Sequence, residues 1–198
     1  SFAVGTNQTV PEDAAAQTVD PWATAISAGP ADEAAQTLTF NVTGNTNAAL
    51  FSTSPAVSPT GVLTYTPAAN TSGVATITLS LSDNGSNTPP DVNISAAQTF
   101  TITVDAVNDA PVNTVPGTQT TGDTVPVVFS TANTNAISIV DLDAAAGVLQ
   151  VSFGTGAAAN GTLTLANPGG ALTSLTGNGT EQVIATGTLT ALNAALNG

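Results

Sequence analysis

Apolar and polar positions alternate along four clear stretches of the first half of the chain. Residues 38–42 read Leu-Thr-Phe-Asn-Val, residues 62–66 Val-Leu-Thr-Tyr-Thr, residues 75–81 Ala-Thr-Ile-Thr-Leu-Ser-Leu and residues 99–104 Thr-Phe-Thr-Ile-Thr-Val. A period of two is the pattern of a strand with one face buried and one face wet. Clusters of Gly, Pro and Asn separate these stretches, as at residues 67–73 and from Asn84-Gly85 to Pro90. Such residues favour turns. With further strands near the start, roughly seven short strands in the first hundred or so residues predict an all-β Greek-key sandwich. Trp22, Phe40, Phe51, Tyr65 and Phe100 are its large core candidates.

The pattern then starts again. Gln8-Thr9 matches Gln119-Thr120, and Ala25-Ile26-Ser27 matches Ala136-Ile137-Ser138, both 111 residues apart. At that spacing residues 38–42 overlie residues 149–153, with apolar positions kept at period two. We therefore expect tandem modules, residues 1–109 and residues 110–198. Beyond Phe153 the second copy continues with Gly161-Thr162-Leu163-Thr164-Leu165, residues 182–186 and a Leu-spaced run at residues 189–196 that predicts one or two helical turns. Nothing in it corresponds to the Tyr65 strand or to the two long final strands of the first copy. The second sandwich is expected to be incomplete at its C-terminal end. Two explanations stay open: the chain is cut from a longer array, or another molecule supplies the strands and builds a head-to-tail polymer of identical chains.

Composition narrows the function. The 198 residues include 13 acidic side chains and no Lys, Arg or His, a formal charge of −13. Nucleic acid is excluded as a partner, since neutralising phosphates takes cationic side chains, and anionic membrane surfaces are disfavoured on the same ground. No Cys is present, so neither disulfides nor thiol chemistry enters. No apolar run approaches the ~18 residues that span a bilayer. Ser1 reads as a processed or fragment end rather than a translational start. Acid–base catalysis would have only carboxylates, and a two-carboxylate glycosidase needs an aromatic-lined cleft that one Trp and one Tyr do not supply. We expect no enzymatic activity. Seven Asn-x-Ser/Thr triplets, at Asn41, Asn70 and Asn178 among others, are what chance gives in a chain rich in Asn and Thr.

With so few charges, their positions matter. Strands of a sandwich run alternately up and down, which sends Glu12, Asp13, Asp105, Asn108 and Asp109 to one end of the first module. The same alternation sends the Asp141-Leu142-Asp143 loop to the facing end of the second. Ca²⁺ takes six to eight oxygen ligands, and Glu12, Asn108, Asp109, Asp141 and Asp143, with carbonyls near Ala106 and Ala110, are candidates for it. Asn and Asp also cap backbone groups, so the same joint serves equally as a plain linker turn. Asp32, Glu33 and Asp83 form a second acidic group at the other end of the first module, where solvated loop acids are the ordinary outcome. Asp20, Asp91 and Glu181 read as surface charges.

Asp105 with Asn108-Asp109-Ala110-Pro111, the Pro11-Glu12 pair and the Asp141-x-Asp143 loop resemble the calcium motifs of cadherin domains. They resemble more closely the cadherin-like and immunoglobulin-like tandem repeats of giant bacterial surface proteins and adhesins, whose modules often end in Val-Asn-Asp-Ala-Pro. Asp83-Asn84-Gly85 with Pro89 is similar to the acidic loop before the last strand of such domains. The sequence departs from the animal form in lacking an Asp-x-Glu pair in the first module, in a joint one residue shorter, and in Gly122-Asp123 where the first module has Glu12-Asp13. The resemblance implies calcium-stiffened sandwiches displayed outside the cell, with Glu12, Asp105, Asn108, Asp109, Asp141 and Asp143 as ligands. The partners it implies are neighbouring modules of the same or an identical chain and a cell-surface ligand, without membrane insertion. A glycan- or protein-binding module is the reading from another class.

Overall fold

The computed structural model describes residues 1–88, 91–122, 124–155 and 161–198. Pro89, Pro90 and Asp123, noted above, lie outside the described residues. The chain divides into two compact units, Ser1–Val107 and Asn108–Gly198. Among the described residues it is all-β apart from one short α-helix and a few 3-10 turns. No helix among the described residues is long and apolar enough to cross a membrane.

Unit 1 contains β1 (Gln8–Pro11), β2 (Gln17–Val19), β3 (Thr39–Asn45), β4 (Phe51–Val57), β5 (Leu63–Pro67), β6 (Gly73–Ser82) and β7 (Gln98–Asp105). They form two sheets, β1-β7-β6-β3 and β2-β5-β4, a Greek-key sandwich of the cadherin and immunoglobulin-like kind. All pairings are antiparallel except that of β1 with β7. Alternation does the sorting. Along β6, Ala75, Ile77 and Leu79 are fully buried while Thr76 and Thr78 lie on the other face. Phe100, Ile102 and Val104 of β7 join them. The five expected aromatics are all in this core, with ring centroids 4.4 Å apart for Trp22 and Phe100 and 6.0 Å for Phe51 and Tyr65. Edge-on and tilted contacts of this kind add to the burial of large aromatic area. Gly61 closes the turn before β5 at φ +92°, and its carbonyl accepts the N–H groups of Trp22 and Ala23. A side chain there would strike the Ala23 carbonyl, so this turn demands glycine.

Unit 2 is built differently. It pairs β8 (Val112–Thr114) with β9 (Ser138–Val140), and joins β10 (Val148–Gly154), β11 (Ser174–Thr176) and β12 (Gln182–Thr188) in the order β10-β12-β11. A helix, α1 (Leu189–Leu196), follows, where Leu spacing predicts helical turns. Thr188 caps it by accepting from the Ala191 N–H. Leu192, Ala195 and Leu196 turn inward against Ile139, Leu172 and Ala185. Asn193 fixes the helix to β9: its amide accepts the Ile139 N–H and donates to the Ile139 carbonyl, both at 2.8 Å.

The 111-residue spacing carries over unevenly. The alternation of β3 reappears as β10, but Gln119-Thr120, the counterpart of the start of β1, lies in no strand. In unit 1 that segment is a strand because β7 lies beside it, pairing Gln8 with Ile102 and Pro11 with Asp105. Among the described residues unit 2 has no counterpart of β7 to do so.

Candidate functional site

At the end of unit 1 the parallel pairing of β1 with β7 sets Pro11 beside Asp105. Proline ends the ladder because it has no N–H to give, and the chain turns at Glu12. The Glu12 N–H still donates to the Asp105 carbonyl at 2.8 Å, and Glu12 Oε1 accepts the Val107 N–H at 2.7 Å. Glu12 is buried, 7% exposed, whereas Asp105 is exposed. Thus Glu12 and Asp105 are neighbours, as alternation of the strands requires. Asp13 follows at φ +62°, and its Oδ1 accepts the Asn70 N–H at 2.9 Å, tying this turn to the one between β5 and β6.

At the start of unit 2 the register of β8 with β9 places Val112 opposite Val140. Residues just before Val112 therefore lie beside residues just after Val140. Asp109 donates its N–H to Asp143 Oδ2 at 3.1 Å. Asp141 Oδ1 accepts the Ala144 N–H at 3.0 Å, which curls the loop, and Asn108 donates to the Asp109 carbonyl at 2.8 Å. Asp109 and Asp141 are half-buried and Asp143 is exposed. The six candidate ligands fall into two sets, Glu12 with Asp105 in unit 1, and Asn108, Asp109, Asp141 and Asp143 in unit 2.

The donor chemistry is oxygen alone, which suits a hard cation. Among the described residues no three carboxylates gather closely enough to hold a metal ion by themselves. Each set is a partial shell that carbonyls and Asn oxygens would have to complete. The backbone bonds made by Glu12, Asp141 and Asp143 are also what a plain capped turn requires.

At the other end of unit 1, Asp32 and Glu33 lie in a 3-10 turn, Ala31–Glu33. Asp83 Oδ1 accepts the Gly85 N–H at 2.8 Å and Asn84 Oδ1 the Thr37 N–H at 2.9 Å, so this loop is held by its own side chains. Nearby, the buried oxygens Gln36 Oε1 and Asn93 Oδ1 have no hydrogen-bond partner among the described residues. Sequence reasoning missed these two amides, and neither has a motif to betray it. It also missed the Asp13 bond to Asn70, which depends on a left-handed turn. Asp20, Asp91 and Glu181 are exposed, as expected of surface charges.

No protein-family model matches the chain, and no curated protein matches it either. Among solved structures it is similar to the crystal structure of human CDH23 EC21-23, with a TM-score of 0.41 and 17% identity. The likeness covers 94% of this chain and 59% of that one.

Proposed function

We propose that the chain is a non-catalytic structural and adhesive repeat, displayed outside the cell by a bacterial surface protein. On this reading its modules are stiffened by Ca²⁺ held at their ends. What carries the reading is the placement of the acids in each unit. Glu12 and Asp105 share one end of unit 1, Asp109 and Asp143 are bonded at the start of unit 2, and the two units meet in sequence between Val107 and Asn108. The chain has no cationic side chain, so a divalent ion from solution is the counter-charge open to these carboxylates. Neighbouring modules of the same or an identical chain are the partners of such a spacer. A glycan-binding role lacks its usual platform, since Trp22 and Tyr65 are both buried in the core of unit 1.

The test is thermal unfolding and small-angle scattering with excess Ca²⁺ and with chelator. At a calcium level about one hundred times Kd, binding adds about 2.7 kcal/mol of stability, and the particle should become longer and less variable. The Asp141→Asn, Asp143→Asn double variant should lose that response. Coincident melting and scattering curves with and without the ion would end the calcium reading and leave a spacer joined by a capped turn.

A further inference from the structure

The number of Asn-x-Ser/Thr triplets is what chance gives, but the fold treats them unequally. Asn160 lies outside the described residues. In three of the others the amide nitrogen is already a donor. Asn41 Nδ2, inside β3, donates to Ser82 Oγ at 2.9 Å and to the Thr39 carbonyl at 3.3 Å. Asn93 Nδ2 donates to the Gly85 carbonyl at 3.3 Å, and Asn178 Nδ2 to the Leu165 carbonyl at 3.2 Å. In two more the amide oxygen ties the side chain down. Asn7 Oδ1 accepts the Thr101 N–H and Asn84 Oδ1 the Thr37 N–H, each at 2.9 Å.

Asn70 differs from all of these. It stands exposed in the turn between β5 and β6, at φ +52°, a left-handed conformation that Asn tolerates. Its backbone is fixed, because Asp13 Oδ1 accepts its N–H at 2.9 Å, while its side-chain amide has no hydrogen-bond partner among the described residues. Thr71 Oγ1 donates to the Ala69 carbonyl at 3.0 Å, inside the turn, and Ser72 is exposed. The turn thus presents to solvent both working parts of the triplet, the amide of Asn70 and the hydroxyl residue two places on.

We propose that Asn70 is the acceptor of an N-linked glycan. The donor is a sugar activated at its anomeric carbon by a phosphate ester, on a lipid or a nucleotide carrier. Asn70 Nδ2 forms a bond to that carbon as the bond from the carbon to the phosphate oxygen breaks. The phosphate leaves with the electron pair, the transferase takes one proton from Nδ2, and nothing is oxidised or reduced. An amide nitrogen is a weak nucleophile because its lone pair is shared with the carbonyl. The transferase must therefore grip and twist the side chain, which an amide already bonded within a strand or between loops resists. The hydroxyl residue at the third position completes the acceptor triplet. A surface turn also has room for a bulky group, since a glycan there displaces no packed side chain. Only 7% of the residues are charged, so a hydroxyl-rich glycan would add solvation to a surface poor in charge. The inference does not depend on calcium at the module ends.

The experiment offers the whole folded chain to two transferases of Asn-x-Ser/Thr specificity, a membrane enzyme with a polyprenyl diphosphate oligosaccharide and a soluble enzyme with a uridine diphosphate sugar. Intact mass followed by peptide mapping is the readout. An increment of one glycan, on Asn70, is expected with at least one of the two donors, and the arm that yields it identifies the carrier. Asn70→Gln and Ser72→Ala should each lose the increment, and Ser72→Thr should keep it. The Ser72 variants leave the Asp13 bond to the Asn70 backbone in place, so they serve even if Asn70→Gln disturbs the turn. No increment with either donor, a glycan mainly on another Asn, or an increment that survives Ser72→Ala would overturn the proposal.

Discussion

In unit 1 the ten-residue strand β6 is flanked by β3 and β7, and nearly every apolar side chain facing inward is buried. In unit 2 the longest strands have seven residues, three-residue β11 covers β12 at only residues 184–186, and a helix takes over part of the enclosing work. The two units draw on the same alphabet of Ala, Val, Leu, Thr and Gly. What differs is whether a long strand is at hand to lie beside each exposed ladder. Where one is, short segments such as β1 become strands; where none is, segments of similar sequence such as Gln119-Thr120 stay irregular. Pairing decides what alternation only permits.

The sharpest way to break this contrast is at the core. Phe100→Ala should remove about 3–5 kcal/mol from unit 1, because the ring is 3% exposed and packs at a tilt against Trp22. Two-step urea unfolding followed by NMR should show the transition of unit 1 shifting while that of unit 2 stays. Asn193→Ala does the converse. It leaves the Ile139 N–H and carbonyl without their partner, at a cost of about 1–3 kcal/mol to unit 2 alone. The smallest change sharpens the comparison rather than breaking it. The Tyr65 hydroxyl is buried with no hydrogen-bond partner among the described residues, so Tyr65→Phe should stabilise unit 1 by about 1 kcal/mol.

Tyr65 also sets an alkaline limit. Burial raises its phenol above the ordinary tyrosine value. The unfolded chain ionises as pH passes about 10 while the folded one stays protonated. Stability is therefore full below that pH and falls as pH rises beyond it. In Tyr65→Phe the fall should disappear, which alkaline titration of the melting temperature will register.

Much of unit 1 was legible because its long strands carry strict alternation. The patterns at residues 75–81 and 99–104 lie inside β6 and β7, and the one at residues 62–66 overlaps β5 with a shift of one residue. β4 was not legible: Pro55 interrupts Phe-Ser-Thr-Ser-Pro-Ala-Val, and its register with β5 shifts twice, so no simple period survives. In unit 2 the β10, β12 and α1 segments stood out, while Gly161-Thr162-Leu163-Thr164-Leu165, equally alternating, enters no strand and makes only the isolated bridge of Leu163 to Thr180. The three-residue strands β8, β9 and β11 are too short for a period and exist through their partners. For the candidate site, the proline-terminated strand made the proximity of Glu12 and Asp105 legible, whereas Asn108 and Asp109, expected at the end of the first module, belong to unit 2. Their hydrogen bonds were not legible, because Glu12 to Val107 and Asp109 to Asp143 join residues 95 and 34 positions apart.

The parallel pairing of β1 with β7 has a consequence for a chain under tension. These strands lie at the two ends of unit 1, with four registered residue pairs and the Glu12 carboxylate bonded beyond them to Val107. A pull on those ends drags the strands past each other in shear. The bonds then bear the load together instead of unzipping in turn, so the unit resists extension most strongly at the seam where its first strand meets its last.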